Sequence, residues 1–317
     1  MNMNTTAKEL LTETMRRIDG AYSQSTIRAY KANFERFIEF CESMQASSLP
    51  ANSGDIASYI KHLANSGLKS ASIRIAIAAI SSIHKLNQFS DPIQHPNVVI
   101  EMRRMHRTLG RASKQAFGIT EDILEKMIGI AGNDLRGLRD RALILIAYDS
   151  LCRRGELVSL KVSDITASSH IRLRKSKTDQ EAIGKYIRLN LRTQDFIRAW
   201  TGAAKIEDEF LFRGIANNGD VSKGINAGQI NRIYKRLAKK AGFSQEIIQN
   251  ISRHSFRVGA AQDLMTSGAS LPMLMNRGRW SKPETAMQYV EFLPRGINST
   301  LSSAPHEEHP PPFLAAL

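Results

Sequence analysis

The chain has 317 residues, enough for two ordinary domains with separate cores, and its 42% hydrophobic content is that of a globular protein. Its two cysteines, Cys41 and Cys152, exclude a disulfide framework or a zinc cluster, and both are expected in the core. No run approaches the roughly 18 apolar residues of a membrane span, while 44 Lys and Arg against 30 Asp and Glu leave a formal charge of +14 that points to a polyanionic partner.

The N-terminal stretch MNMNTTAKELL has neither the basic flank nor the apolar core of a signal peptide, so a cytoplasmic location is expected. Residues 5–107 read as helices separated by turns. In SQSTIRAYKANFERFIEFCESM, Ile27, Tyr30, Phe34, Phe37, Ile38 and Cys41 recur at spacings of three and four, the period of one helical face. LPANSGD breaks the pattern, and Ile56, Tyr59, Ile60 and Leu63 resume it before Gly67. Ile73, Ile77, Ile80 and Ile83 line a third helix from Ser70 to Leu86. After FSDPIQHP comes a strongly basic helix from Asn97 to His106. These make a compact all-helical domain over 1–107, and RTLGRASKQAFG reads as a basic linker, assigned to 108–118.

A second domain is expected over 119–303. DRALILIAYDSL is apolar enough to be a central buried helix, and RRGELVSLKVSDI continues as a second helix after a tight break. The alternation of HIRLRKSKTDQEAIGKYIRL predicts a β-hairpin around KTDQEAIG. Everything after Thr193 is expected to be helical, up to a Pro-rich tail over 304–317. The fold class is therefore mainly α, with two domains and one small antiparallel sheet in the second.

Basic residues are spread through MRRMHR (102–107), RLRKSK (172–177) and YKRLAKK (234–240), with no single basic tail. That distribution suits two folded domains touching a long polyanion, DNA before RNA. An anionic membrane ranks last, because no basic amphipathic helix faces a bulky aromatic stripe. A solvated basic surface is the bland alternative.

The segment ISRHSFRVGAAQDLMTSGASLPMLMNRGRWSKPETAMQYVEF concentrates the polar chemistry. His254 and Arg257 lie three apart at a helix start, and alone they could be a surface pair. Ser281 and Glu284 have the spacing of a capping box, with Pro283 in the first turn, so a helix over 283–292 is expected to follow Trp280 and to carry Tyr289. Arg153 begins a helix with Glu156 one turn on. A half-buried guanidinium needs an anion, which is either Glu156 itself or a phosphate. Lys177 sits near the hairpin tip. Two arginines, a His, an indole N–H, a Lys and a Tyr match what phosphoryl transfer to a protein nucleophile requires. Preorganised donors must meet the charge on the non-bridging oxygens. A phenol with a pKa of about 10 needs a base or a positive field, and the leaving oxygen needs a proton.

The Arg, His-x-x-Arg, Trp and Tyr set, with IAYDSLCRRGELVSLKVSDI and the lysine of RKSKTD, resembles the tyrosine site-specific recombinases of the phage integrase family. The likeness runs from about residue 20 to about residue 292 and includes STIRAYKANFERFIEFC and MRRMHR. The resemblance implies an N-terminal core-binding domain and a C-terminal catalytic domain. Tyr289 would be the nucleophile that forms a 3′-phosphotyrosyl bond, with Arg153 and Arg257 clamping the phosphate. His254 would exchange a proton near the phosphate, Trp280 would donate its indole N–H, and Glu156 would support Arg153. Lys177 would be the general acid, although Lys175 and Lys185 flank the same hairpin.

It further implies recombination of double-stranded DNA at a specific, inverted-repeat site by a homotetramer through a Holliday junction. Neither ATP nor metal would be needed, no membrane would be involved, and the setting would be a bacterial cell or phage-infected host, at the nucleoid. The likeness weakens over AGQINRIYKRLAKK and KSASIRIAIAAI, so a different target site is expected, with Arg28, Gln229 and Arg232 as candidate DNA contacts or solvated surface. The tail PPPFLAAL also departs from the family pattern, though Phe313, Leu314 and Leu317 could still dock in a neighbour. A catalytically idle DNA-binding protein and a type IB topoisomerase are the alternatives. The first would lack a Tyr or clamp Arg, and the second is disfavoured by the two-domain size.

Overall fold

The computed structural model describes residues 3–111, 115–174 and 184–290. The chain divides into two compact units, Met1–Lys114 and Gln115–Leu317. The first is all-helical: α1 (Met3–Arg17), α2 (Gln24–Ser43), α3 (Ser53–Asn65), α4 (Ser70–Leu86) and α5 (Pro96–Leu109). The Ser23 hydroxyl accepts from Thr26 N–H to start α2, and Phe34, Phe37, Ile38 and Cys41 form its buried face. The isoleucine stripe of α4 packs against it, with Ile73, Ile80 and Ile83 fully buried. His84 is buried as well, taking Ala51 N–H at 2.9 Å on Nε2 and facing the Ile80 carbonyl at 2.8 Å through Nδ1. Helix α5 is longer than its sequence pattern indicates, because Pro96 presets its first turn and Gly110, at φ 73°, ends it. Val98 and Met105 face the core while Arg103, Arg104 and Arg107 are exposed.

The second unit is built on α6 (Glu121–Ile130) and α7 (Leu135–Ser150), with residues 142–147 of α7 buried on every side. The predicted continuation is shorter than expected. Helix α8 covers only Arg154–Ser159, and Cys152 lies in the loop between α7 and α8, not inside a helix, although it is buried. The hairpin forms as β1 (His170–Leu173) and β2 (Lys185–Arg188), antiparallel, with Ile171 opposite Ile187. Residues 175–183, which include Lys175 and Lys177, lie outside the described residues. Asp149 joins the hairpin exit to α7 by accepting Asn190 N–H at 3.0 Å and the Thr193 hydroxyl at 2.6 Å.

Helix α9 (Leu191–Ala203) follows, but residues 204–226 are not helical. They run as loops with isolated bridges, Lys161 to Phe210 and Ile215 to Val221, which corrects the all-helical expectation beyond Thr193. Gly214, Gly219 and Gly224 break any helical period there. Then come α10 (Ala227–Lys240), α11 (Gln245–Asn250), α12 (Ser255–Thr266), α13 (Leu271–Gly278) and α14 (Pro283–Met287). Among the described residues, no helix is long and apolar enough to cross a membrane.

Helix α12 approaches the chain just before α6 so closely that a Cβ on Gly259 would stand 1.8 Å from the Ile119 carbonyl oxygen. Alanine would gain about 0.5–1 kcal/mol of helix propensity, against an overpacking cost of about 1–3 kcal/mol with backbone as the obstacle. The cost wins, so Gly259→Ala should destabilise the protein and lower its urea midpoint; an unchanged midpoint would contradict this close approach.

Candidate active site

The site grows from the buried end of α7. Leu151 caps that helix in the left-handed conformation, φ 49° and ψ 33°, and leaves the Ser150 and Leu151 carbonyls pointing away from helical donors. Two arginines take them. Arg257 Nη1 donates to Leu151 O at 2.7 Å, and Arg279 Nη1 donates to Ser150 O at 2.9 Å. Cations at a helix C-terminus also meet the negative end of its dipole.

Arg257, only 1% exposed, stands in the first turn of α12. Its Nη2 donates to the Gly278 carbonyl. Its guanidinium lies 4.5 Å from the Trp280 ring centre and 5.5 Å from that of Tyr289. The Trp280 and Tyr289 rings are 4.7 Å apart, and His254 meets Tyr289 edge-on at 6.4 Å. Gly278 makes room for this stack, because a Cβ there would fall 2.0 Å from a Trp280 ring atom.

Glu156 ties in the second predicted arginine. Its carboxylate accepts Arg153 N–H at 2.8 Å and Arg153 Nη1 at 2.9 Å, and also Arg279 Nη2 at 2.7 Å. The Arg153 side chain is 26% exposed, against 6% for Arg279, so Arg153 is the one that presents its head outward. Removing a partner from a buried ion pair of this kind costs about 3–5 kcal/mol, because the remaining charge is stranded.

The cluster is electropositive, with three guanidinium groups around one carboxylate. Burial pulls Arg257 down to about 10, with Arg153 and Arg279 acting in the same direction and Tyr289 opposing them, so it stays charged at neutral pH. Burial also drives His254 down to about 4, helped by Arg253, Arg257, Arg153 and Arg154. The imidazole is therefore neutral, and its Nε2 accepts from Arg253 Nε at 3.0 Å. His254 Nδ1, Arg257 Nε and Arg279 Nε are buried without a hydrogen-bond partner among the described residues. An excess of buried donors around a neutral imidazole suits an anion.

Six predicted residues thus come together: Arg153, Glu156, His254, Arg257, Trp280 and Tyr289. Two local expectations need correction. Pro283 sets the first residue of α14, so Lys282 is its N-cap and Ser281 stands one residue too early for a capping box with Glu284. Helix α14 ends at Met287, which puts Tyr289 in the turn after it and not on the helix. Lys177 lies outside the described residues, while Lys185 donates to the Asn276 carbonyl at 3.1 Å.

Arg28 is exposed at the start of α2 and donates to Gln24 O, and Arg232 is exposed on α10. The Gln229 side-chain carbonyl is engaged in the N-terminal cap of α10, accepting Asn226 N–H at 2.9 Å. Arg279 and Arg253 were not singled out from the sequence. The NRGRW and SRHSF stretches advertise their charge, but only folding reveals their partners. Among the described residues, no group of three or more His, Cys, Asp or Glu could hold a metal ion.

Residues 118–294, more than half of the chain, match the phage integrase family, and residues 15–89 match the phage integrase N-terminal SAM-like domain. The chain belongs to the phage integrase family and is a tyrosine site-specific recombinase, an enzyme that cleaves and rejoins DNA. It is 23% identical over 293 residues to the recombinase Cre of Escherichia phage P1, covering 86% of this chain and 85% of that one. It is 24% identical over 316 residues to the tyrosine recombinase XerC of Leptospira interrogans, covering 96% and 94%. In fold it is similar to the Tn1549 transposon integrase solved with transposon right end DNA, with a TM-score of 0.65 at 14% identity over 95% of this chain and 98% of that one.

The neutral His254 has a consequence for stability. Its folded pKa, about 4, lies below the ordinary value near 6.5, so between those values the unfolded chain binds a proton that the folded chain refuses, and stability falls as pH drops through that window. Urea midpoints near pH 7.5 and near pH 4.5 should differ more for the wild type than for His254→Gln; equal differences would mean that His254 is not held neutral.

Proposed function

We propose that residues 115–317 cleave one DNA strand by attack of the Tyr289 hydroxyl on a scissile phosphate clamped by Arg153 and Arg257. The bond from Tyr289 Oη to phosphorus forms as the bond from phosphorus to the 5′-oxygen breaks, leaving a 3′-phosphotyrosine. His254, neutral at working pH, takes the phenolic proton or steadies a non-bridging oxygen. Lys177 protonates the departing 5′-oxygen, which becomes a 5′-hydroxyl. Trp280 donates its indole N–H to the phosphate, and Glu156 keeps Arg153 in place. One ester is exchanged for another, so the bond energy is retained for the reverse attack that rejoins the strand.

The observation that carries this reading is the Tyr289 ring stacked between Trp280 and the edge of His254, 5.5 Å from the buried Arg257 guanidinium. A phenol beside that much uncompensated positive charge is poised for attack on an anionic centre. Lys185 is engaged by Asn276, which favours Lys177 over it as the acid.

DNA is the partner in this proposal, engaged over a long basic track. The N-terminal unit would act as the core-binding domain with Arg103 and Arg107 of α5 and Arg28 of α2. The catalytic unit would read its site with Arg232 and the exposed Lys239 and Lys240 of α10. Gln229 has only its amide NH2 left for a base edge. The reading extends to an inverted-repeat site, a homotetramer passing through a Holliday junction, a docking role for Phe313, Leu314 and Leu317 of the tail, and action in the cytoplasm at the nucleoid.

Incubating a nicked, random-sequence DNA library with wild type and with Tyr289→Phe, then denaturing, tests the nucleophile directly. Covalent adducts are expected with wild type alone, while Tyr289→Phe keeps its DNA affinity within about threefold, because one phenolic oxygen contributes little to a phosphate-dominated interface. Sequence-selective binding without adducts would instead identify a DNA-binding protein on the same fold. For the acid, a substrate with sulfur at the bridging 5′ position should restore cleavage to Lys177→Ala, since a thiolate leaves without a proton; equal defects on both substrates would remove Lys177 from that role.

A further inference from the structure

Arg279 occupies a backbone position suited to glycine. It ends α13 in the left-handed region, φ 55° and ψ 49°, where long side chains are uncommon. Its head nevertheless runs inward and is almost fully buried, so what it reaches must matter more than the conformation it is held in. It reaches three acceptors: Ser150 O at 2.9 Å, Leu151 O at 3.3 Å and Glu156 Oε2 at 2.7 Å. The Leu151 carbonyl is also the acceptor of Arg257 Nη1, and Glu156 is also the partner of Arg153. Arg279 is thus joined to both clamp arginines through one shared acceptor each, from the buried side of the cluster.

We propose that Arg279 is a positioning residue for strand cleavage: it balances Glu156 from behind, so that the Arg153 guanidinium can be shared with the scissile phosphate. The inference rests on the roles given above to Tyr289, Arg153 and Arg257. Without Arg279, the buried Glu156 carboxylate would have Arg153 as its one ion-pair partner among the described residues, and that pair would carry no net charge. Turning Arg153 toward a phosphate would then strand an anion beside the incoming anion. With Arg279 in place, Glu156 keeps a charged partner that is 6% exposed, and the 26% exposed Arg153 contributes its full positive charge outward. The same residue fixes the Leu151 carbonyl and hence the register of Arg257.

The test is a double-mutant cycle on the rate of Tyr289 adduct formation, in single turnover at saturating concentrations of nicked site DNA recovered from wild-type adducts. Arg279→Gln should slow cleavage about tenfold or more, short of the ~10²–10³ loss of a donor that touches the phosphate itself, with DNA affinity unchanged within about threefold. In a Glu156→Gln background, where no carboxylate charge needs balancing, the same replacement should slow cleavage by less than about threefold. An equal factor in both backgrounds would reduce Arg279 to a packing and helix-capping role and overturn the inference. Arg279→Gly relaxes the left-handed backbone and provides a second variant should the glutamine fold poorly. It should be slow in the same way, and a wild-type rate would also overturn the proposal. Arg279→Lys, which keeps the charge but reaches fewer acceptors, should fall between. If wild type forms no adduct that Tyr289→Phe abolishes, the reading of Tyr289 fails, and this inference with it.

Discussion

The buried C-terminus of α7 cannot turn to water for the donors its last carbonyls lack, and the catalytic unit is arranged around that constraint. Arg257 from α12 and Arg279 from the end of α13 supply those donors, so two segments far apart in sequence are pinned to one helix end. Once Arg257 is fixed there, its flat cation becomes a platform for Trp280 and Tyr289. Gly278 permits the stack by having no Cβ, and Gly259 lets α12 lie against the chain at Ile119, just before α6. The chemical groups are held by backbone acceptors and rings, which are rigid, and less by pairing among long side chains, which are not.

The same arrangement sets the electrostatics. A single carboxylate, Glu156, faces three guanidinium groups, and the imidazole beside them is held neutral by burial and by its cationic neighbours. The net positive charge is therefore carried by the guanidinium groups. In the proposed mechanism, a phosphate entering this place would relieve repulsion among the arginines as it binds. Stabilisation of that kind grows as charge accumulates on the non-bridging oxygens, which is when a transferring phosphoryl group needs it most.

Much of this was legible in the sequence where chemistry and period coincide. The isoleucine stripe of α4, the face Phe34, Phe37, Ile38 and Cys41 on α2, and the alternation about the hairpin are local patterns, and each led to the element observed. The set of polar groups around His254, Arg257, Trp280 and Tyr289, read together with the family resemblance, pointed to residues that do converge. Misreadings occurred where neighbouring signals competed. Pro283 overrode Ser281 in setting the start of α14, and the glycines of 204–226 overrode a presumed helix.

The sequence by itself determined the two-part helical organisation and the basic balance, because these depend on residue type and short-range period, while the candidate site residues came from the resemblance to the recombinase family. Tertiary structure alone decided which charges face each other. Arg279 stands 123 positions from Glu156, and Arg257 stands 106 from Leu151, so no local pattern links them. The neutrality of His254 likewise depends on burial that no stretch of sequence encodes. The reason is physical: the strength and sign of an electrostatic effect depend on distance and on the surrounding medium, and both come into being only when distant segments pack.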